Sequence, residues 1–194
     1  PVSHLRYSNL LACLGRVPEA ITEAKRAIDL DPLFSRAWGA LGLCLIASDQ
    51  LPEARKALSR AMEISPEDPQ PHFYLAFISL LEGSPQAALQ GFARIEDLAG
   101  RAMAEHDLGH AKESQQALDE LIAKRASTFA FAGEIAGVYA WRGEKDKAFE
   151  WLDRAVAQHE EDPGTVKFDP QFSKLRDDPR YAALLKKVGL PAGS

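Results

Sequence analysis

Apolar residues recur at intervals of three and four along most of the chain, the spacing that lines one face of a helix. Ala20, Ala24 and Ala27 make one such stripe, Ala54, Leu58 and Ala61 a second, and Ala148, Leu152 and Ala155 a third. Trp38, Leu41, Gly42 and Leu45 keep the same period between the first two. The stripes mix small residues with large ones, which lets two antiparallel helices approach closely while the larger side chains fill the space between neighbours. An all-α fold built from helix pairs is the expectation.

The stripes also repeat. VPEA at 17–20 returns as LPEA at 51–54, 34 positions later, and SPQAA at 84–88 follows at nearly the same interval. Pro18, Pro52 and Pro85 fall in the first turn of second helices, where a missing N–H costs nothing. Asp31-Pro32 and Ser65-Pro66 mark stops, because the residue before a proline is pushed out of the helical region. The third closing proline is absent, its place being taken by Gly100. LGH at 108–110 then aligns with LGR at 14–16, which shortens the step between the third and fourth units to 26 residues. That assigns the eight missing residues to the second helix of the third unit or its connection. A step of 34 resumes from Gly109 to Gly143. The units fall near 1–34, 35–68, 69–96, 97–128 and 129–158. The fourth rests on the apolar face of Leu118, Leu121 and Ile122. Residues 159–194 form a C-terminal loop and capping helices, with Asp169-Pro170 and Asp178-Pro179 as helix starts and Tyr181, Leu184, Leu185 and Val188 on one face. No pair of this kind buries its own face alone, so stacking along the array carries the stability.

The stretch WGALGLCLIASDQLPEARKALSRAMEISP resembles the tetratricopeptide repeat pattern of Trp, Leu-Gly, Tyr, then Ala, an aromatic, Ala and Pro, with Leu45 and Leu58 where aromatics are usual. The resemblance implies a right-handed α-solenoid of about five helix pairs with a C-terminal capping helix. It also implies a concave groove lined by the first helices, through the second, fifth, ninth, twelfth and thirteenth places of each unit. Carried onto this chain, the groove residues are Leu5, Asn9, Arg36, Leu43, Gln70, Phe73, Phe77, Met103, His106 and Trp141. One subtype of the family grips acidic chaperone tails with a clamp of Lys, Asn and Arg. Here only Asn9 matches, with Leu5, Ala40, Gln70 and Tyr74 at the other places, so binding of such tails is not expected. A mainly apolar groove suits an amphipathic helix or an extended peptide with Leu or Phe anchors. YAWRGEKDKAFEWLDRA and KFDPQFSKLRDDPRYAALLKKVGLP are similar to the C-terminal ends of bacterial tetratricopeptide regions that follow adenylyl-cyclase-like, winged-helix or propeller-like segments. That similarity implies an accessory arm of a larger regulator.

Composition narrows the function classes. With 23 Lys and Arg against 28 Asp and Glu, the formal charge of −5 disfavours a nucleic-acid surface. No apolar run approaches the length that spans a bilayer, and a cytoplasmic location is expected. Cys13 and Cys44 sit singly in apolar helical stretches and read as small core residues. The chain opens on Pro1 with apolar residues already in helical phase, the expectation for a piece of something longer. His106 and His110, four apart with Glu105, Asp107 and Glu113 nearby, come nearest to a metal motif, but Gly109 aligns with an inter-helix turn and separates them. Glu160-Glu161-Asp162 and Asp177-Asp178 lie in proline-containing connections and read as caps and solvated loops. His72, following Pro71, reads as a helix-start residue. No phosphate loop or nucleophile elbow is present, and neither a metal nor a cofactor is implied. The reading is a non-catalytic protein-interaction scaffold that binds a protein or peptide partner, with self-association as the alternative and a metal site or enzyme at His106 and His110 as the lesser one.

Overall fold

Twelve α-helices and one 3₁₀ segment follow one another in the computed structural model, which describes residues 1–125, 132–158 and 165–190, with no strand among them. The chain divides into two compact units, Pro1–Ile95 and Glu96–Ser194. The first holds α1 (Val2–Cys13), α2 (Val17–Leu30), α3 (Ser35–Ala47), α4 (Leu51–Ile64), α5 (Pro69–Leu81) and α6 (Pro85–Arg94). The second holds α7 (Leu98–Asp107), α8 (Ala111–Arg125), α9 (Ala132–Trp141), α10 (Lys145–Ala157), α11 (Thr165–Phe168), the 3₁₀ segment Pro170–Leu175 and α12 (Pro179–Lys187). The boundary expected at 128/129 and the acidic cluster Glu160-Glu161-Asp162 lie outside the described residues.

Within each helix pair the turn carries one residue with positive φ. Gly15, Gly83, Gly109 and Gly143 lie at φ 70–80°, and Asp49 takes the same place at 58°. These five residues mark steps of 34, 34, 26 and 34. Pro18, Pro52 and Pro85 sit in the first turns of α2, α4 and α6. Aspartates cap α5, α7, the 3₁₀ segment and α12: the side chains of Asp68, Asp97, Asp169 and Asp178 accept from the backbone N–H of Gln70, Gly100, Gln171 and Arg180. Such a cap contributes about 1 kcal/mol.

Within a pair the helices meet tightly between the eighth place and the twentieth and twenty-fourth, counted from Pro1. The eighth place holds Ser8, Gly42, Ala76, Ala102 and Ala136, and the twentieth Ala20, Ala54, Ala88, Ser114 and Ala148. All are buried. Where a serine stands in either place, its hydroxyl donates to the main-chain carbonyl opposite: Ser8 Oγ to Ala20 at 2.8 Å, and Ser114 Oγ to Ala102 at 2.7 Å. A polar side chain is thus carried into a tight helix contact without being left unsatisfied. The twenty-fourth place holds the filler, Ala24, Leu58, Phe92, Leu118 or Leu152, and every one is buried.

The eight residues missing before Gly109 are distributed differently from expectation. Helix α6 has 10 residues against 14 in α2 and α4, α7 has 10 against 13 in α3 and α5, and the connection between α6 and α7 is one residue shorter than those at 31–34 and 65–68. Three of the eight are therefore lost from the first helix of the fourth pair, because counting turns locates a deletion only between two turns. The division between the two compact units falls in this same connection, where Glu96 adopts φ 53°.

In the second unit the tail keeps the 34-residue step. Arg180 on α12 pairs with Asp146 at 2.8 Å and Lys187 with Asp153 at 2.7 Å, each partner lying 34 residues earlier on α10. The 3₁₀ segment packs on α9, where Gly137 leaves room for it: a Cβ there would stand 2.6 Å from Gln171 Oε1. Asp169 holds that glutamine, accepting from its backbone N–H at 2.9 Å and its side-chain amide at 3.2 Å. Burial pushes the Asp169 carboxyl up to about 6, and the Gln171 hydrogen bonds and nearby Arg176 offset this only in part. An acid whose pKa is raised by folding holds its proton more firmly in the folded chain, so its contribution to stability falls as pH rises from about 4 through about 6 and is flat above. Asp169→Asn keeps a capping side chain and removes this dependence. Thermal melts from pH 4 to 7.5 should show the variant gaining on the native chain by of order 2 kcal/mol across that window. Parallel curves would contradict the assignment.

Candidate functional site

In the first unit α1 touches α3 and α3 touches α5, so the three first helices lie side by side. The second, sixth and ninth places of each helix fall on one stripe, spaced by four and three residues. The second place holds Val2, Arg36 and Gln70, all exposed. The sixth holds exposed Arg6 and half-buried Ala40 and Tyr74, and the ninth holds exposed Asn9, half-buried Leu43 and buried Phe77. From α1 to α5 the face therefore turns from polar to apolar. Gln70 reaches across to α3, its Oε1 lying 3.6 Å from where a Cβ on Gly39 would stand.

Phe73 anchors the apolar end. Its ring lies edge-on to Tyr74 at 5.3 Å, stacks on Phe77 at 6.0 Å with the planes 9° apart, and tilts against Phe92 of α6 at 5.4 Å. Phe77 and Phe92 are fully buried while Phe73 and Tyr74 are half-buried, so Phe73 reaches solvent with two buried rings packed against it. Below this face the fourth place of α3 and of α5 latches each helix to the preceding connection. Trp38 Nε1 donates to the Pro32 carbonyl at 3.0 Å, and a His72 ring nitrogen lies 2.9 Å from the Pro66 carbonyl. His72 is accordingly a helix-start latch.

The charge of this face is one-sided. Arg16, Arg26, Arg55 and Arg60 each pair with a glutamate, whereas Arg6 and Arg36 have no ion pair among the described residues. No carboxylate occupies the second, sixth or ninth places of α1, α3 and α5. The stripe thus carries two arginines, on α1 and α3, together with the half-buried apolar side chains Leu43 of α3 and Tyr74 of α5, and Phe73 stands next to Tyr74, so that the three form an apolar ledge on this face.

Not every residue expected in the groove is on a surface. Leu5, Phe77 and Met103 are buried and correct the expectation: Leu5 joins the core with Ala24, Ala27 and Ile28, and Phe77 lies under Phe73. A bulky apolar side chain near the edge of a helical stripe turns inward wherever a neighbour leaves room for it. In the second unit His106 and Trp141 are half-buried. Trp141 Nε1 donates to both carboxylate oxygens of Asp107, at 3.0 and 3.1 Å, and Lys174 donates to the Trp141 carbonyl while its ammonium stands 5.6 Å from the indole centroid. Trp141 is thus tied within its own unit, between α7 and the tail. Arg6 belongs to the face and was absent from the expected set, and Tyr74 had entered it only as the occupant of a clamp place, although the four-residue step from the second place pointed to both.

His106 closes α7 and His110 precedes α8, with Gly109 between them at φ 78°. His110 Nδ1 lies 2.8 Å from Glu105 Oε2. No group of three or more His, Cys, Asp or Glu side chains placed to hold a metal ion occurs among the described residues. No helix there is long and apolar enough to cross a membrane. Burial pushes the Cys44 thiol up to about 11 against a weaker hydrogen bond with Ser8, which makes it a poor nucleophile.

Comparison with known proteins fits this geometry. Residues 9–69 and 99–164, more than half of the chain, match the family model described as tetratricopeptide repeat. The small glutamine-rich tetratricopeptide repeat-containing protein 2 of Mycosarcoma maydis is 34% identical over 71 residues, 35% of this chain. The match spans a fifth of that protein's length. Among solved structures, YrrB, described as a tetratricopeptide protein with an unusual peptide-binding site, superposes with a TM-score of 0.50 at 17% identity, over 84% of this chain and 89% of YrrB. A complex of Naa15 and Naa10 bound to HypK-THB covers 93% of this chain and 29% of its own at a TM-score of 0.40 and 18% identity.

Proposed function

The chain belongs to the tetratricopeptide repeat family, and from that premise we propose that it is a non-catalytic interaction scaffold whose α1, α3 and α5 face binds an apolar-anchored peptide or helix. The observation that carries this reading is the ledge of Leu43, Phe73 and Tyr74 beside Arg6 and Arg36. The ledge gives a Leu or Phe side chain a rigid surface to cover, because Phe77 and Phe92 hold Phe73 in place. The arginines favour a ligand with acidic residues flanking its anchor. On this reading the scaffold is the partner-binding arm of a larger cytoplasmic regulator, and the resemblance of the last third to bacterial regulatory regions supports that context.

Selection from a displayed random-peptide library tests the reading. The expected binders carry one large apolar residue next to Asp or Glu. Their affinity should drop about tenfold or more on Leu43→Asp or Arg36→Glu, a loss of at least ~1.4 kcal/mol, while circular dichroism shows an intact fold. Peptides that bind both variants as well as the native chain would locate the site elsewhere.

A further inference from the structure

The outward stripe of α1 departs from its own repeats. Ser3, Tyr7 and Leu10 stand at the third, seventh and tenth places, four and three residues apart on one face, and all are exposed, Tyr7 by 46% and Leu10 by 54%. Thirty-four residues later the same places hold Ala37, Leu41 and Cys44, exposed by 0%, 6% and 3%. At the next step Pro71 and Ile78 are buried and Leu75 is half-buried. The covering elements are those of the preceding pair: Ala24, Ala27 and Ile28 of α2 share one core cluster with Ala37 and Leu41, and Cys44 meets Ser8 of α1. Val2 is a useful contrast. Its later equivalents Arg36 and Gln70 are exposed too, so its exposure is a property of its place, whereas that of Tyr7 and Leu10 is not.

We propose that this stripe is a stacking surface for another helix pair of the same kind, carried N-terminal to α1 and lying on it as α1 and α2 lie on α3. The chain itself defines the occupant: a second helix faced with alanines, joined through a connection of about four residues like those at 31–34 and 65–68. The last helix of the chain is built differently. All the exposed large apolar side chains among the described residues, Val2, Tyr7, Leu10, Leu30 and Leu33, belong to the first 33 positions. On α12 the exposed residues include Ala182, Ala183, Lys186 and Lys187, small or charged. A second copy approaching head to tail would set lysines against Tyr7 and Leu10, which disfavours it as the occupant. The inference is independent of the peptide-binding reading, since the stripe and the ledge involve different places of the repeat.

A tandem duplication tests it, placing a second copy of residues 1–34 directly before Pro1 in the full chain so that the 34-residue register is kept. A Leu10→Cys substitution in the original helix, with Cys13→Ser, reports whether the stripe is covered. The expected result is added helix by circular dichroism, a melting temperature higher by ~5 °C, and alkylation of the reporter thiol slowed about tenfold or more. A graft that adds no helix, or that folds and leaves the thiol as reactive as before, overturns the proposal. Sedimentation of the native chain at high concentration is the second measurement. A monomer is expected, and a dimer dissociated by Leu10→Glu would overturn the proposal in favour of a second copy as the occupant.

Discussion

Gly42→Val is expected to unfold the first unit far below the native melting temperature, whereas Gly39→Ala, three residues away on the same helix, should leave it as stable or more so. A Cβ on Gly42 would stand 2.6 Å from Leu58 Cγ and 2.7 Å from its Cδ2. Leu58 is fully buried in the cluster it shares with Leu41, Leu45 and Ala54, so it has no free volume to enter. The branched side chain forces α3 and α4 apart, and overpacking of this kind costs about 3 kcal/mol, with any gain in helix propensity far too small to offset it. A Cβ on Gly39 meets only Gln70 Oε1 at 3.6 Å, an ordinary contact. There the propensity gain of up to ~1 kcal/mol stands unopposed. Urea unfolding of the three proteins checks both signs, and a Gly42→Val chain within ~1 kcal/mol of native would show that the closeness of the two helices is not required.

Phe92→Ala should cost about 3–5 kcal/mol, the range for a lost buried aromatic. Phe92 is fully buried, and its ring supports Phe73 from behind. The cavity it leaves cannot be closed by moving α6 toward α5. Beside it Gly91 already meets Ala76 so tightly that a Cβ on the glycine would stand 2.6 Å from the alanine Cβ. Helix α6 has only 10 residues to distribute the loss over. Two readouts are expected together: a lower urea midpoint, and weaker binding of any peptide that rests on Phe73, since the ledge loses its backing. Stability reduced with peptide affinity unchanged would separate Phe73 from the binding face.

The repeat was legible in the sequence because its steric demands restrict residue type. A place where two helices nearly touch admits only Gly, Ala or Ser, a first turn tolerates Pro, and a turn with positive φ favours Gly, so each leaves a mark that recurs at 34. The tail was less legible: Pro170 and a short 3₁₀ segment hide the step, which survives in the pairing of Arg180 and Lys187 with residues 34 earlier. The binding face was the least legible. Phe73 and Phe77 are both aromatic and four apart, yet one reaches solvent and the other is fully buried, a difference that comes from their places in the packed helix pair and not from their own chemistry. Trp141 shows the same limit, its indole being engaged by Asp107 34 residues before it.

The serines at the tight helix contacts bear on how such a protein can be altered. Ser8 donates from a first helix to a second and Ser114 from a second helix to a first, across equivalent places. A residue-by-residue average of the pairs would put serine on both sides or on neither, crowding the contact with two hydroxyls or leaving it with none. Swapping modules between such arrays therefore preserves their fit only when both helices of a hairpin travel together, which makes the hairpin, and not the single helix, the natural cassette for recombination.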